Sequence, residues 1–212
     1  MSCRRNRVTP DGDIIAIPAR GRLMGNRGRL VDQCGEIVRH FERERWISCV
    51  LDEVHGGPVA MDNPNSYTPL FFTDDAVALA AGHRPCGQCR QDDYGRFLAA
   101  WKRMQGISGH IRVYSEEMDA NLHARRMRWR SGRDQRAIPF DQIPSGAFFR
   151  SDRISPHPLL YWAGRLWPWA EGAYLAPLDV ADSYGHVGGP WHFSWKIIAH
   201  GGMDWRAFGP QL

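Results

Sequence analysis

The chain has 212 residues, a hydrophobic content of 43% and a formal net charge of +4 at pH 7. No apolar run is long enough to cross a bilayer, and the arginine-rich start lacks the apolar centre of a signal peptide. We therefore expect a cytoplasmic protein without a membrane partner. Five cysteines in a reducing compartment favour metal ligation over disulfide bonds.

Arginine dominates the basic residues, because Lys102 and Lys196 are the only lysines among 27 basic side chains. A guanidinium matches phosphate oxygens and guanine edges with two parallel hydrogen bonds, which a lysine cannot do. This excess predicts a phosphate-bearing partner. GC-rich codon usage predicts the same excess, so the positions of the arginines have to decide.

The first arginine-rich stretch follows a strand predicted for residues 13–17. Glycines alternate with arginines there, and glycine lets a backbone approach an anion that the arginines neutralise. The alternative is a solvated surface loop. The DNA contacts predicted in this stretch are Arg20, Arg22, Asn26, Arg27 and Arg29.

A short amphipathic helix is predicted around residues 37–43, because Ile37, Val38 and Phe41 have helical spacing. A strand predicted for residues 46–51 follows and contains Cys49. Cysteine in a strand is either a small buried hydrophobic residue or a metal ligand.

The most informative stretch is residues 71–90. An alanine-rich helix is predicted for residues 74–81, with a left-handed cap at Gly82 and Pro85 preventing its continuation. Cys86 and Cys89 follow, and two thiols separated by two residues can bind one ion. The pair is half of a tetrahedral zinc site.

This stretch resembles the N-terminal metal-binding domain of the bacterial methylation-repair protein Ada, which has an alanine-rich helix followed by Gly, Arg-Pro-Cys and a second Cys. The resemblance implies a zinc module and a connection with DNA, and it covers about a tenth of the chain. The family has a second cysteine four residues after its first ligand, where this chain has Glu53. The matching residues are Phe71, Phe72, residues 78–82, Arg84, Pro85, Cys86, Cys89 and Arg90.

A structural Zn²⁺ ion needs two further ligands, and Cys49 is the best third one. Cys34 would complete a site of four cysteines, whereas His55 would give three cysteines and one histidine. Glu53 is a weaker candidate. The sequence leaves the choice between Cys34 and His55 open.

A helix beginning near Ser115 has acids at its start and arginines at its end, which suits the helix dipole. Asp119 and His123 are four residues apart, so they are candidates for a catalytic acid–base pair or for a simple helix-stabilising pair. The basic end of this helix is predicted to contact DNA through Arg125, Arg126, Arg128 and Trp129.

The remaining chain predicts short antiparallel strands at residues 146–150, 159–162 and 166–169, with a turn at Ala163 and Gly164. It also holds six of the nine tryptophans, and Trp191 and Trp195 are candidates for stacking a flipped base. We therefore divide the chain into a zinc-containing region, residues 1–136, and a tryptophan-rich β region, residues 137–212.

The predicted fold is α+β, with a zinc knuckle followed by a small antiparallel β unit. The predicted function is a zinc-stabilised DNA-binding protein that acts on modified or damaged DNA, with base excision by a DNA glycosylase preferred over strand cleavage by a nuclease. The alternatives are a non-enzymatic DNA-binding or methyl-accepting module, and a protein that does not bind DNA.

Overall fold

Two β-sheets and three α-helices make up the part of the chain that the computed structural model describes, which is residues 3–51, 66–133 and 140–181. The α+β class predicted from the sequence is confirmed. The strands are β1 (Arg5–Val8), β2 (Ile14–Ala16), β3 (Leu23–Asn26), β4 (Ile47–Cys49), β5 (Leu70–Phe72), β6 (Arg84–Pro85), β7 (Phe148–Ser151), β8 (Ser155–Trp162), β9 (Arg165–Ala170), β10 (Ala173–Tyr174) and β11 (Leu178–Asp179). The helices are α1 (Asp75–Ala80), α2 (Gln91–Gln105) and α3 (Ser115–Arg130), with one 3₁₀ turn at Phe140–Gln142.

The first sheet has the strand order β2-β1-β5-β3-β4-β6. Its pairs are antiparallel except for β1 with β5 and β4 with β6, which are parallel. Gly25 in β3 permits close packing, because a Cβ atom there would lie 2.4 Å from the ring of Phe72. The parallel pairing of β4 with β6 brings Cys49, at the end of β4, close to Cys86, which directly follows β6.

The helix α1 lies within the helix predicted for residues 74–81, and Asp74 caps its start. The side chain of Asp74 accepts a hydrogen bond of 2.9 Å from the backbone N–H of Val77, which satisfies one of the free amides of the first turn. The helix ends before Gly82, whose φ of +89° is the left-handed conformation that glycine adopts without strain. The five residues from Ala76 to Ala80 are buried, so this short helix is held by packing.

The second sheet has the strand order β10-β9-β8-β7, and β11 also pairs with β9. The turn between β8 and β9 lies at Ala163 and Gly164, whose φ angles of +50° and +77° fit the primed turns of hairpins. All pairings in this sheet are antiparallel. The sequence predicted this hairpin and its turn.

The second sheet is covered on both faces. Phe149 and Leu159 point to one hydrophobic cluster, which includes Phe97 of α2 and Met118 of α3. Phe148 and Leu160 point to another, which includes residues of the first sheet and of α1. Side chains alternate across a strand, so neighbouring residues of β7 and β8 fill different clusters. The boundary predicted between residues 136 and 137 lies outside the described residues.

The helix predicted around residues 37–43 is wrong, because this segment is non-helical in the structure. Its amides bond across the loop instead of along a helix. Val38 donates to the carbonyl of Leu30 at 2.9 Å, and Glu42 donates to the carbonyl of Arg27 at 2.9 Å. The segment thereby runs beside the chain that follows β3.

Among the described helices, none combines the length and the apolarity that crossing a bilayer requires.

Candidate functional site

Three cysteines come together at the end of the first sheet. The sulfur atoms of Cys49, Cys86 and Cys89 all lie within 4.8 Å of one another. A tetrahedral zinc ion with Zn–S bonds of about 2.3 Å holds its sulfurs about 3.8 Å apart, which is within this limit. These residues could hold a metal ion, and they are three of the ligands that the sequence predicts.

Strand pairing explains why residues so distant in sequence meet. Ser48 of β4 pairs with Pro85 of β6, and the amide of Cys86 donates to the carbonyl of Ser48 at 2.9 Å. Cys49 and Cys86 therefore leave the ends of adjacent parallel strands. The amide of Arg90 donates to the carbonyl of Cys86 at 3.0 Å and closes the turn that carries Cys89.

Backbone amides and neighbouring thiols set the acidity of the cluster. The thiol of Cys49 donates to the sulfur of Cys86, which lowers the pKa of Cys86 well below its ordinary value, and the amides of Cys89 and Gln88 act in the same direction. The same hydrogen bond, with burial, raises the pKa of Cys49. Burial raises the pKa of Cys89, while the amide of Val50 donates to its sulfur. Amides aimed at sulfur favour thiolates, which are the form that binds a metal.

The fourth ligand is not among the described residues that surround the cluster. Cys34 is exposed and lies in a turn where its amide donates to Asp32 at 2.9 Å, and it is not part of the group of three. His55 and Glu53 lie outside the described residues.

Polar contacts fix the helix that follows the cysteines. Arg90 donates to the hydroxyl of Ser48 at 3.0 Å and forms ion pairs with Asp75 and Asp93 at 2.7 and 2.6 Å. Ser48 precedes Cys49, so this buried arginine ties β4 to the start of α2. An open cleft of about 510 Å³ lies beside these residues and is lined by Val50, Gln88, Cys89, Asp92 and Arg96, among others.

A second buried ion pair joins the cysteine motif to α3. Both carboxylate oxygens of Asp119 accept from Arg84, with Nε and Nη2 each at 2.7 Å. The two side chains are only 5% and 4% exposed. Removing one partner of such a pair costs about 3–5 kcal/mol, because the other charge stays buried. The position of α3 thus depends on a residue two places before Cys86.

The predicted pairing of Asp119 with His123 is not formed. The guanidinium of Arg84 takes both oxygens of Asp119, because a charged bidentate donor outcompetes an imidazole. His123 instead packs edge-on against Phe41, with ring centroids 4.6 Å apart. Burial, and then the charge of Arg126, lower the pKa of His123.

A cluster of cations surrounds Trp46, a fully buried residue of the first sheet region. We call Arg27, His40, Trp46, Arg126 and Arg130 the arginine–tryptophan cluster. The guanidinium carbons of Arg27 and Arg126 lie 4.2 and 4.8 Å from the centre of the Trp46 ring. Two arginines therefore stack on one indole.

The hydrogen-bond partners of Arg27 are imidazole nitrogens and a backbone carbonyl. Its Nε donates to Nε2 of His83 at 3.0 Å, and its Nη1 donates to the carbonyl of Gly12 at 3.1 Å. Nε2 of His40 lies 3.0 Å from Nη1 of Arg27 and also 3.0 Å from Nη1 of Arg130. Burial, followed by the charges of Arg126 and Arg130, lowers the pKa of Arg27 well below its usual value.

Arg126, like Arg27, is a desolvated cation whose pKa is lowered by burial. It donates to the carbonyls of Gly82 and Glu44 at 2.8 and 3.0 Å, and burial lowers its pKa to about 9. Stacking of a desolvated cation on tryptophan is worth about 2 kcal/mol. Removing each charge from water costs several kcal/mol, a cost that stacking and the hydrogen bonds of these cations oppose.

The residues predicted to contact DNA differ in their exposure to solvent. Arg27 was predicted to contact DNA, but it is fully buried, so a duplex phosphate backbone does not reach it in this structure. Arg125 and Arg126 are partly buried against the protein, as are Asn26 and Trp129. The exposed members are Arg20, Arg22, Arg29 and Arg128.

Sequence reasoning missed His40, Trp46 and His83 as members of a site. His83 directly follows the predicted cap at Gly82, and it is fully buried and accepts from Arg27. The only signal was a histidine directly before the Arg84-Pro85-Cys86 motif, which a turn explains equally well. Trp191 and Trp195, predicted for base stacking, lie outside the described residues.

Together these features define a group of three cysteines that could hold a metal ion, in an α+β protein. No protein-family model, curated protein or solved structure matches the chain. The likeness to the Ada metal-binding domain therefore rests on the motif around Cys86 and Cys89 and on the grouping of Cys49 with them.

Proposed function

We propose that this chain is a zinc-stabilised DNA-binding protein that acts on modified or damaged bases. The observation that carries the proposal is the link from the three-cysteine group through Arg84 to Asp119 on α3. Three thiolate ligands suit zinc, and a zinc ion there would fix the strand that positions this helix. The metal is structural in this proposal.

The C-terminal end of α3 supports the DNA part of the proposal. Arg128, Arg130 and Arg133 are exposed there, and the amide of Arg133 bonds back to the carbonyl of Arg128 at 3.0 Å. We call these three residues the basic surface. Exposed arginines clustered at a helix end neutralise phosphates and release counterions.

Base excision is favoured over strand cleavage by the arrangement of the acids. Within residues 3–51, 66–133 and 140–181, the cysteines form the only group of three or more potential metal ligands. A magnesium-dependent nuclease uses clustered carboxylates, whereas the nearby pair Asp75 and Asp93 in this part of the chain is occupied by Arg90. A glycosylase that flips a base needs aromatic and polar side chains instead, and the chain has nine tryptophans.

The DNA part is tested by the salt dependence of binding to a fluorescent duplex. The wild-type protein should bind with an affinity that falls steeply with salt, and the Arg128→Gln/Arg133→Gln variant should show a slope smaller by about 1–2. Arg165→Gln is the matched control, because Arg165 is an exposed arginine paired with Asp179 on the second sheet. Absence of binding by the wild type at low salt contradicts the proposal.

The catalytic part is tested by incubating the protein with duplexes that carry alkylated, deaminated or oxidised bases. Mass spectrometry should detect release of a free base from one of them and an intact strand. DNA binding without release of any base would leave a binding module.

The second candidate is a methyl-accepting protein, favoured by the position of Cys89 in the open cleft. Methylated DNA or methyl iodide should then add one methyl group to a cysteine, which peptide mass mapping would detect. Unmodified cysteines after incubation with both reagents would exclude this candidate.

A further inference from the structure

The arginine–tryptophan cluster has more positive charge than its partners balance. Arg27 is completely buried, and all its hydrogen-bond acceptors are imidazole nitrogens or a backbone carbonyl. The acceptors of Arg126 are two backbone carbonyls. The Nη2 nitrogens of both residues are buried and have no hydrogen-bond partner. Buried donors of charged groups are normally satisfied, so these two require an explanation.

Carboxylates of the described chain do not supply that partner. Asp13 attracts Arg27, and Glu44 attracts Arg126, but both are exposed residues and neither hydrogen-bonds to the unpaired nitrogens. Asp119 also attracts Arg126, yet both its oxygens accept from Arg84. The donors are therefore left for an acceptor from outside this part of the chain.

We propose that Arg27, Arg126 and Arg130 form a binding site for a single small oxyanion, a phosphate group, with His40 between Arg27 and Arg130. Guanidinium groups bind phosphate oxygens with paired hydrogen bonds. The site requires a small ligand, because Arg27 has no exposed surface and an internal phosphodiester of duplex DNA is too bulky to reach it. Arg130 is exposed and lies 3.0 Å from His40, so it marks the solvent side.

Two molecules can supply the phosphate group that this site binds: the free phosphate ion, or a nucleic acid strand that ends in a phosphate monoester. The site shares Arg130 with the basic surface, but Arg128 and Arg133 do not contribute to it, so the Arg128→Gln/Arg133→Gln variant separates it from the DNA function proposed above. Free phosphate would act as a stabilising ligand of the fold. A terminal phosphate would place a strand end next to the basic surface.

The test measures binding of inorganic phosphate by isothermal titration calorimetry and by the unfolding temperature at constant ionic strength. Wild-type protein should show saturable binding and a rise in unfolding temperature, with chloride at the same ionic strength giving neither. Arg130→Gln should weaken binding about tenfold, because one of three charges is lost at an exposed position that the fold tolerates. Arg165→Gln, the control, should bind as the wild type does.

A second arm compares a short oligonucleotide with and without a 5′-phosphate. Tighter binding of the phosphorylated form, lost in Arg130→Gln and retained in Arg128→Gln/Arg133→Gln, identifies the strand end as the source. Equal binding of both forms, with saturable inorganic phosphate, identifies the free ion. No saturable binding of inorganic phosphate or of the terminal phosphate by folded wild-type protein overturns the proposal, whether or not the protein binds DNA.

Discussion

The cysteine cluster and the arginine–tryptophan cluster lie on the same sheet and have opposite chemistry. Cys49, Cys86 and Cys89 group soft donors that a cation neutralises, whereas Arg27 and Arg126 group buried cations around an indole. Two of the cysteines form one short motif, while the two arginines are 99 residues apart in the sequence. Local spacing therefore reveals the first cluster, and only the fold reveals the second.

The largest effect should come from breaking the cysteine cluster. Cys86→Ser should abolish stoichiometric zinc binding and the cooperative unfolding transition, because structural zinc contributes about 10 kcal/mol or more to folding in small zinc domains. Metal analysis and circular dichroism with and without a chelator measure both quantities.

The control for this experiment is Cys34→Ser, at the exposed cysteine outside the group. It should keep the zinc content and the stability of the wild type. Loss of zinc in this variant would make Cys34 the fourth ligand, and retention of zinc by Cys86→Ser would contradict the metal centre itself.

A smaller effect is expected from breaking the buried ion pair of Arg84 and Asp119, which joins the cysteine motif to α3. Asp119→Asn should lower the free energy of unfolding by about 3–5 kcal/mol, because the charge of Arg84 stays buried without its counter-ion. Urea unfolding of the zinc-loaded protein measures the change. If the pair matters only as a buried charge pair, Arg84→Met combined with Asp119→Leu should recover much of the loss, whereas an additive loss would show that the geometry of the pair is needed.

The smallest effect concerns pH. The pKa of His123 is lowered in the folded protein, by burial first and then by Arg126, so the unfolded chain binds this proton more readily. The free energy of unfolding should therefore decrease as pH falls below the ordinary histidine pKa of about 6.5. Above this pH the stabilisation should be fully present. His123→Gln should flatten that part of the stability profile.

His110→Gln is the control for the pH profile, because His110 is exposed. Its profile should follow that of the wild type. An unchanged slope in His123→Gln would show that another group causes the pH dependence.

Sequence patterns predicted the elements that have strong local signals. The alanine-rich helix, the left-handed Gly82 and the turn at Ala163 and Gly164 are all in the structure, because each depends on a few adjacent residues. The α+β class and the metal-competent cysteines were found in the same way. The zinc, the DNA partner and the reaction stay predictions.

Long-range packing explains what the sequence did not reveal. Residues 37–43 have helical spacing, but carbonyls of Arg27 and Leu30 compete successfully for their amides. Asp119 and His123 have the spacing of a helical pair, but Arg84, 35 residues earlier, takes the carboxylate. A glycine-rich stretch predicts that an arginine such as Arg27 is exposed. Its burial is visible only in the fold, where its guanidinium stacks on the Trp46 ring.

The parallel pairing of β4 with β6 has a consequence for the evolution of chain length. A metal held by Cys49 and Cys86 would cross-link positions separated by 37 residues, and the entropy of closing such a loop grows only with the logarithm of its length. Ten additional residues between them would cost about 0.2 kcal/mol. Loop insertions that leave β5 and α1 in place are therefore nearly neutral for the metal centre, and the spacing from Cys49 to Cys86 can lengthen where the spacing from Cys86 to Cys89 cannot.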